Sequence, residues 1–321
     1  MSGVRKRYID FIKAFGIILV IMGHVNFANG AIKAWIYLFH MPIFFFSAGL
    51  VISKRLCKDF FIKRFWTLIV PYAVWGLIYA QLTIPNIVKI AYGSYHTIDS
   101  ASSLSSLWFL PVMFLSSIFV QIILKMTDKK MAILVLGGVS FLIGIALPKN
   151  QVGYPWCVDV AFIAVFFIVI GYVSKDKLEA LSGKVLSVVF VVGLLATIIV
   201  LNIPNISEDY VLLATRRIGN PLSFVIGALG GCIMVYSIAR LVDSLTAHTN
   251  LLSYVGKNSL IILLVHKPII WGMERVFNIV KLVPVVELIV TTIVALTCSS
   301  IMAWVINMYF PNLIGKNIHH L

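Results

Sequence analysis

Along the chain, long apolar runs alternate with short polar stretches. Ten of the runs approach the roughly 20 residues that a helix needs to cross a bilayer. They cover 9–27, 33–52, 65–83, 105–124, 131–147, 157–173, 185–203, 219–239, 257–273 and 284–306. The runs are continuous rather than alternating, which predicts helices and not barrel strands. The connections are short and leave no room for a sizeable soluble domain, and no internal repeat is visible. The expected fold is an all-α polytopic integral membrane helical bundle of about ten transmembrane helices, one membrane-embedded domain over 1–321.

Composition agrees. Hydrophobic residues make up 60% of the chain and charged ones 12%, against about 45–50% and about 25% in soluble domains. Mean hydropathy is +1.01. A cytosolic globular enzyme, a disordered chain and a secreted disulfide scaffold are excluded. The net charge of +14 does not imply nucleic acid, because the basic residues are spread between apolar runs, where they set topology. With the N-terminus in the cytoplasm, 18 of the 26 basic residues fall on the cytoplasmic side and both termini are inside. The first run starts basic like a secretory signal, but it is long, carries Asp10 and Lys13, and lacks a clear A-x-A site, so it reads as a retained helix. Cys57, Cys157, Cys232 and Cys298 lie far apart with no CxxC pair, and support neither disulfides nor zinc.

Charges and imidazoles inside a bilayer are expensive, so each asks for a partner or a job. Runs 131–147 and 185–203 have none. The first run carries Asp10, Lys13 and His24. Lys13 and His24 are eleven apart, three turns plus about 20°, so they share one helical face about 16 Å apart along the axis. Two readings stand: a salt-bridged anchor below a packing histidine, or a functional stripe. His40 follows in the second run, and a short connection makes the two runs antiparallel neighbours. Two histidines without a third ligand at recognisable spacing give no metal site.

The connection 53–64, with Lys54, Arg55, Lys58, Lys63 and Arg64, reads either as a topology-setting loop or as an anion cradle suited to phosphates. Asp159 stands where it would cap the sixth span. Trp108 resembles an interfacial anchor. Arg216 and Arg217 precede Asn220 at the start of the eighth span. His266 and Lys267 lie too deep to be idle loop residues, and Glu287 is placed to pair with one of them.

These residues resemble the acyltransferase 3 membrane family. Lys13-x10-His24, with Gly23 before the histidine, is similar to its basic-x10-His motif. The run from Phe39 to Gly49 (FHMPIFFFSAG) resembles its second-span segment. Lys63-Arg64 leading to Pro71-Tyr72, the Leu107–Leu110 stretch LWFL, and Gly256–Leu260 (GKNSL) running on to His266 resemble further segments of that family, in order. The single-domain form is similar to the fucose 4-O-acetylase-like subgroup.

The resemblance implies an enzyme that takes acetyl from cytoplasmic acetyl-CoA, as co-substrate and without metal, and places it on a hydroxyl of a cell-envelope carbohydrate. It would work in the bacterial inner membrane, with a glycan or lipid-linked sugar as acceptor and polysaccharide-assembly proteins as possible partners. His24 matches the family's essential histidine and Lys13 its basic partner. Arg64 matches the first arginine of an R-x-x-R motif whose second position here is Thr67, a departure from the family pattern.

The chemistry fits. A neutral imidazole can take the proton of a sugar hydroxyl as it attacks the thioester. His24 is the expected base, with His40 or a carboxylate, Asp159, to orient it. Lys13, Lys63, Arg64 and Trp108 form the expected cofactor set, and Arg217, Asn220 and His266 the expected substrate set. Trp108 or Asn220 is also placed among possible donors to the oxyanion. The roughly 16 Å stripe suits the reach of a pantetheine arm. An acetyl-histidine relay is compatible with the same residues. The rival reading is a transporter or exporter with a proton relay through His24, His40, Asp159 and His266, against which stands the lack of inverted repeats or paired broken helices. A scaffold with a decayed site, argued only from Thr67, is the third.

Overall fold

The computed structural model describes residues 6–26, 30–54, 58–102, 105–203, 210–245, 250–280 and 282–315. Arg5, Arg55, Cys57, Lys281 and Lys316, used above for topology or cysteine chemistry, lie outside them. The described chain is helical, with no strand ladder among its residues. In chain order the helices are α1 (Arg7–His24), α2 (Gly30–Phe39), α3 (Pro42–Val51), α4 (Lys58–Arg64), α5 (Val70–Tyr79), α6 (Ile84–Tyr92) and α7 (Tyr95–Ser102). Then come α8 (Phe109–Met126), α9 (Lys130–Ala146), α10 (Val158–Glu179), α11 (Gly183–Leu201) and α12 (Pro221–Leu245). The last three are α13 (Asn250–Lys257), α14 (Ser259–Ile279) and α15 (Pro284–Tyr309). This is an all-α polytopic membrane bundle.

All ten apolar runs fall on helix, and seven helical stretches among the described residues are long and apolar enough to cross a bilayer. The other three differ for visible reasons. α9 is an apolar helix of 17 residues. α1 carries Arg7, Asp10 and Lys13 in 18 residues, and α14 carries Lys267, Glu274 and Arg275. Of these charges, Lys267 and Glu274 of α14 line the site below.

Three boundaries depart from expectation. The 53–64 connection is not all loop, because helix begins at Lys58 and runs through a five-residue π turn, Phe65–Ile69, into α5. The second run breaks at His40–Met41, before Pro42, whose missing N–H suits the first position of a new helix. The stretch after α5 folds into two short helices, α6 and α7, where only a connection was expected.

The chain forms two compact units. The first comprises Met1–Ser47, Lys177–Leu212 and Ile218–Trp304. In it α1 packs against α12, α13 and α14. Small residues permit the close approaches, as in many membrane bundles. A Cβ on Gly256 would collide with the backbone of Asp10, so α13 meets α1 main chain to main chain. Gly231 and Gly227 make room for Phe39 and Leu38 of α2, and Gly193 and Gly230 bring α11 onto α12. At the N-terminal end of α1, Arg7 pairs with Asp243 and Lys6 with Glu179, while Arg240 donates to the Tyr236 hydroxyl.

The second unit comprises Ala48–Asp176, Leu213–Arg217 and Val305–Leu321. Its core is α10, buried from Asp159 to Gly171 along most of its first half. Gly49 on α3 and Gly137 and Gly144 on α9 lie against α10 where a side chain would not fit. Gly315 does the same against Trp66 in the π turn. The Ser140 hydroxyl donates to the Phe162 carbonyl at 2.8 Å.

Candidate active site

At the end of α1 the helix presents His24 to a cavity of about 180 Å³ in the first unit. The walls come from three helices: Gly23 and His24 at the end of α1 with Asn26 just beyond, Lys33 and Tyr37 on α2, and Lys267, Ile270, Trp271 and Glu274 along α14. Gly23 is what lets α1 come so near, because a Cβ there would press on the Tyr37 ring. Lys33 and Tyr37 are four apart on α2, and Lys267, Ile270, Trp271 and Glu274 follow the i, i+3, i+4, i+7 pattern of one helical face.

Three imidazoles gather here. The His24 and His266 rings lie 5.2 Å apart between centroids, tilted by 34°. His24 is 6.4 Å from Tyr37, which is 4.6 Å from His40. His266 is 0% exposed and lies behind His24 rather than in the cavity wall. Its Nδ1 faces the carbonyls of Leu263 and Ile262 at 2.9 and 3.1 Å, so Nδ1 carries the proton and donates to both. The lone pair is then on Nε2, which is buried without a hydrogen-bond partner. Such an orphan acceptor in a membrane core costs free energy unless something nearby uses it. His40 is buried and tied the same way, Nδ1 donating to the Ile36 carbonyl at 3.0 Å. Among the described residues no cluster of three or more His, Cys, Asp or Glu stands where it would hold a metal.

The rest of the cavity is charged and aromatic. Lys33 lies 4.5 Å from the Tyr210 ring and 5.6 Å from that of Tyr37, at cation–π range. The Glu274 carboxylate accepts from Asn26 Nδ2 at 2.6 Å. Along the same helix toward its start, Lys13 is half-buried and Asp10 is 2% exposed, the latter accepting from the Ser253 hydroxyl at 3.4 Å.

The other expected site residues are in different places. Asn220 caps α12, its Oδ1 accepting from the Leu222 and Ser223 amides at 3.0 and 3.1 Å. Glu287 accepts the Leu282 amide at 3.2 Å at the start of α15. Trp108 is not an interfacial anchor: it is 6% exposed, inside the 3-10 turn that leads into α8. Lys63 is exposed on α4, and Arg64 lies 5.4 Å over the Phe60 ring. Thr67 sits in the π turn, its hydroxyl donating to the Lys63 carbonyl at 2.8 Å.

The second unit has its own cavity, about 160 Å³, around Asp159. Asp159 does not merely cap α10. Its carboxylate receives Arg216 Nε at 2.6 Å, with side chains only 8% and 7% exposed. Arg216 also donates to the carbonyls of Gly144, Leu147 and Pro148. Of the two adjacent arginines it is therefore Arg216 that holds the acid, while Arg217 is half-buried. Arg216 itself has a positive φ, as do Trp156 and Cys157 just before Asp159 in the chain.

An acyltransferase-domain family model matches residues 6–304. The chain belongs to the acyltransferase 3 family. That match runs from before α1 to near the end of α15 and takes in every residue of both cavities. None of the curated proteins compared matches the chain. The protein is therefore a multi-pass membrane acyltransferase: it moves an acyl group to an acceptor, and its site is to be sought among side chains held by a helical bundle.

Sequence reasoning missed Lys33, Tyr37, Trp271 and Glu274 as wall residues and Arg216 as the partner of Asp159. For the wall a signal was present. The Lys267–Glu274 face is a polar and aromatic stripe in an otherwise apolar helix. For Arg216 there was none, because its neighbour has the same chemistry.

Proposed function

We propose that the protein transfers acetyl from cytoplasmic acetyl-CoA to a hydroxyl of a cell-envelope carbohydrate in the bacterial cell membrane, in the manner of the fucose 4-O-acetylase-like subgroup. The observation that carries this is His24: in an acyltransferase, it is an imidazole that borders a polar, aromatic-walled cavity and has a second imidazole, His266, 5.2 Å behind it. His24 takes the proton of the acceptor hydroxyl. The hydroxyl oxygen attacks the thioester carbonyl, the C–S bond breaks, and the thiolate leaves with the proton held by the imidazolium. His266, with its lone pair behind the His24 ring, supports the imidazolium form as a positioning residue. Tyr37 and His40 buttress the same ring. Trp271 and Tyr37 offer flat faces of the kind on which sugar rings stack.

In this proposal the cofactor's phosphates are assigned to Lys63 and Arg64, with Trp108 against the cofactor, and Lys13 keeps the role of the basic partner on the helix of His24. Thr67 in place of a second arginine makes that grip lighter. Asp159 is assigned to holding the second unit's cavity in shape through Arg216. Both termini are placed in the cytoplasm.

The test is His24→Ala in cells that make the acceptor, with surface glycans scored by NMR. Loss of O-acetyl groups at normal protein level is expected; an unchanged O-acetyl content defeats the proposal. A transporter acting by proton relay is separated by acetyl-CoA itself, which should stabilise the purified enzyme against heat and leave a transporter unmoved.

A further inference from the structure

In the second unit a short helix stands where only a connection was expected, and one of its apolar faces stays exposed. α6 is nine residues long, about 14 Å, too short to cross a bilayer. Ile84, Ile87, Val88 and Ala91 follow the i, i+3, i+4, i+7 pattern of one helical face. All four are exposed, Ile84 at 79% and Val88 at 62%. Lys89 is half-buried and stands about 140° round the helix from Ile84. Ile90 packs inward against Gly76 near the end of α5.

The ends of α6 are built to do without water. Helix termini leave amides and carbonyls unpaired, and in an aqueous setting water meets them. Here the protein does. At the start, Pro85 brings no N–H and the Asn86 amide donates to the Thr83 hydroxyl at 3.4 Å, while Asn86 Nδ2 donates to the Ala80 carbonyl at 2.6 Å. At the other end Gly93, in a left-handed turn, donates its amide to the Lys89 carbonyl. The Tyr72 hydroxyl donates to the carbonyl of Ile90, and Trp156 Nε1 to that of Ala91 at 2.9 Å. Backbone groups at the edge of hydrocarbon need such partners. Only residues 80–83 separate α6 from the apolar span Lys58–Tyr79, so the helix begins where that span leaves the bilayer.

We propose that α6 is an interfacial helix: it lies in the plane of the membrane, with Ile84, Ile87, Val88 and Ala91 sunk among the acyl chains just below the lipid headgroups, and it holds the second unit's cavity at headgroup level. An apolar face on a helix too short to span, together with a polar edge, is the pattern of a helix that lies on a bilayer. The cavity follows because it is stitched to α6. Its wall begins at Ser94, one residue past Gly93. The Tyr92 and Ser94 hydroxyls donate to the carbonyls of Gly153 and Val152, in the connection between α9 and α10. That connection supplies the facing wall, so it too lies where two helices leave the apolar layer. His96 and Lys149, one from each wall, are exposed.

The experiment uses the full chain, reconstituted into vesicles of phosphatidylcholine and phosphatidylglycerol that contain one of three photoactivatable phosphatidylcholines. Their diazirine sits on the headgroup, on the acyl carbons nearest the glycerol, or at the chain end. After illumination, lipid adducts are mapped onto the protein by mass spectrometry. A helix of this kind sinks about 5–10 Å, so the glycerol-near probe should mark Ile84, Ile87 and Val88 severalfold more than the chain-end probe does. Val135 and Val139, exposed near the middle of α9, should show the reverse ranking. The headgroup probe should mark His96 and Lys149. If the glycerol-near probe leaves α6 unmarked while α9 is marked, water or another protein covers the face and the proposal fails. It fails equally if the chain-end probe prefers α6, which would put the helix at mid-bilayer. Marked α6 with unmarked His96 and Lys149 overturns the placement of the cavity.

Discussion

The two cavities are near-equal in size and differ in how their buried groups are partnered. In the second, the buried pair is answered: the Asp159 carboxylate meets Arg216, whose guanidinium also donates to three main-chain carbonyls. Around His24, His266 keeps a buried lone pair and Lys33 rests on aromatic faces. A fully satisfied polar network rigidifies, whereas an incompletely satisfied one has capacity left for a ligand or a proton. The strained backbone sides with the first of these: Arg216 has a left-handed φ, as do Trp156 and Cys157 just before Asp159. The lesson is that burial of a titratable residue does not by itself locate chemistry in a membrane enzyme. What locates it is an unspent bond.

That contrast can be broken experimentally, beginning with the largest effect. His24→Ala should lower acetyl transfer by about 10²–10⁴-fold, the worth of a general base, while thermal unfolding in detergent stays within a few degrees of the parent. Arg216→Ala should act the other way, costing about 3–5 kcal/mol of stability by stranding a buried carboxylate. It is read as lost yield and a lowered unfolding midpoint, and the double change Asp159→Leu with Arg216→Met should recover most of it. If Arg216→Ala folds as well as the parent, the second cavity is not a closed network. His266→Ala should reduce kcat roughly tenfold, the worth of a bond to a charged group, with KM for the acceptor little changed. A KM effect alone would move His266 from behind the base into the substrate's path. The smallest effect belongs to Ser94, whose hydroxyl donates to the Val152 carbonyl at 2.5 Å in the wall of the second cavity. Ser94→Ala should cost about 1 kcal/mol, measured by chemical unfolding.

Much of the fold was legible because a bilayer makes hydropathy decisive. Apolar runs became helices, and the break before Pro42 follows from a missing N–H. The short helices α6 and α7 were not legible, since at 9 and 8 residues they are far too short to read as spanning runs. Nor was the π turn, since adding one residue to a helical turn leaves no mark on composition. For the site, His24, His40 and His266 could be singled out by the cost of imidazoles in an apolar run. That His24 and His266 meet could not be read, because it depends on how two helices more than two hundred residues apart in sequence pack. The assignment of Trp108 to an interface failed for a related reason: its position in a run looked peripheral, and only packing shows it enclosed.

One contact described above sets that packing. At Gly256 the backbone of α13 touches the backbone of α1 at Asp10, with no side chain between to stretch or compress. His24 lies further along α1, and His266 further along the helix that continues from α13. Both imidazoles are thus measured out from a common benchmark, and the distance between them is fixed by counting residues rather than by the compliance of side chains.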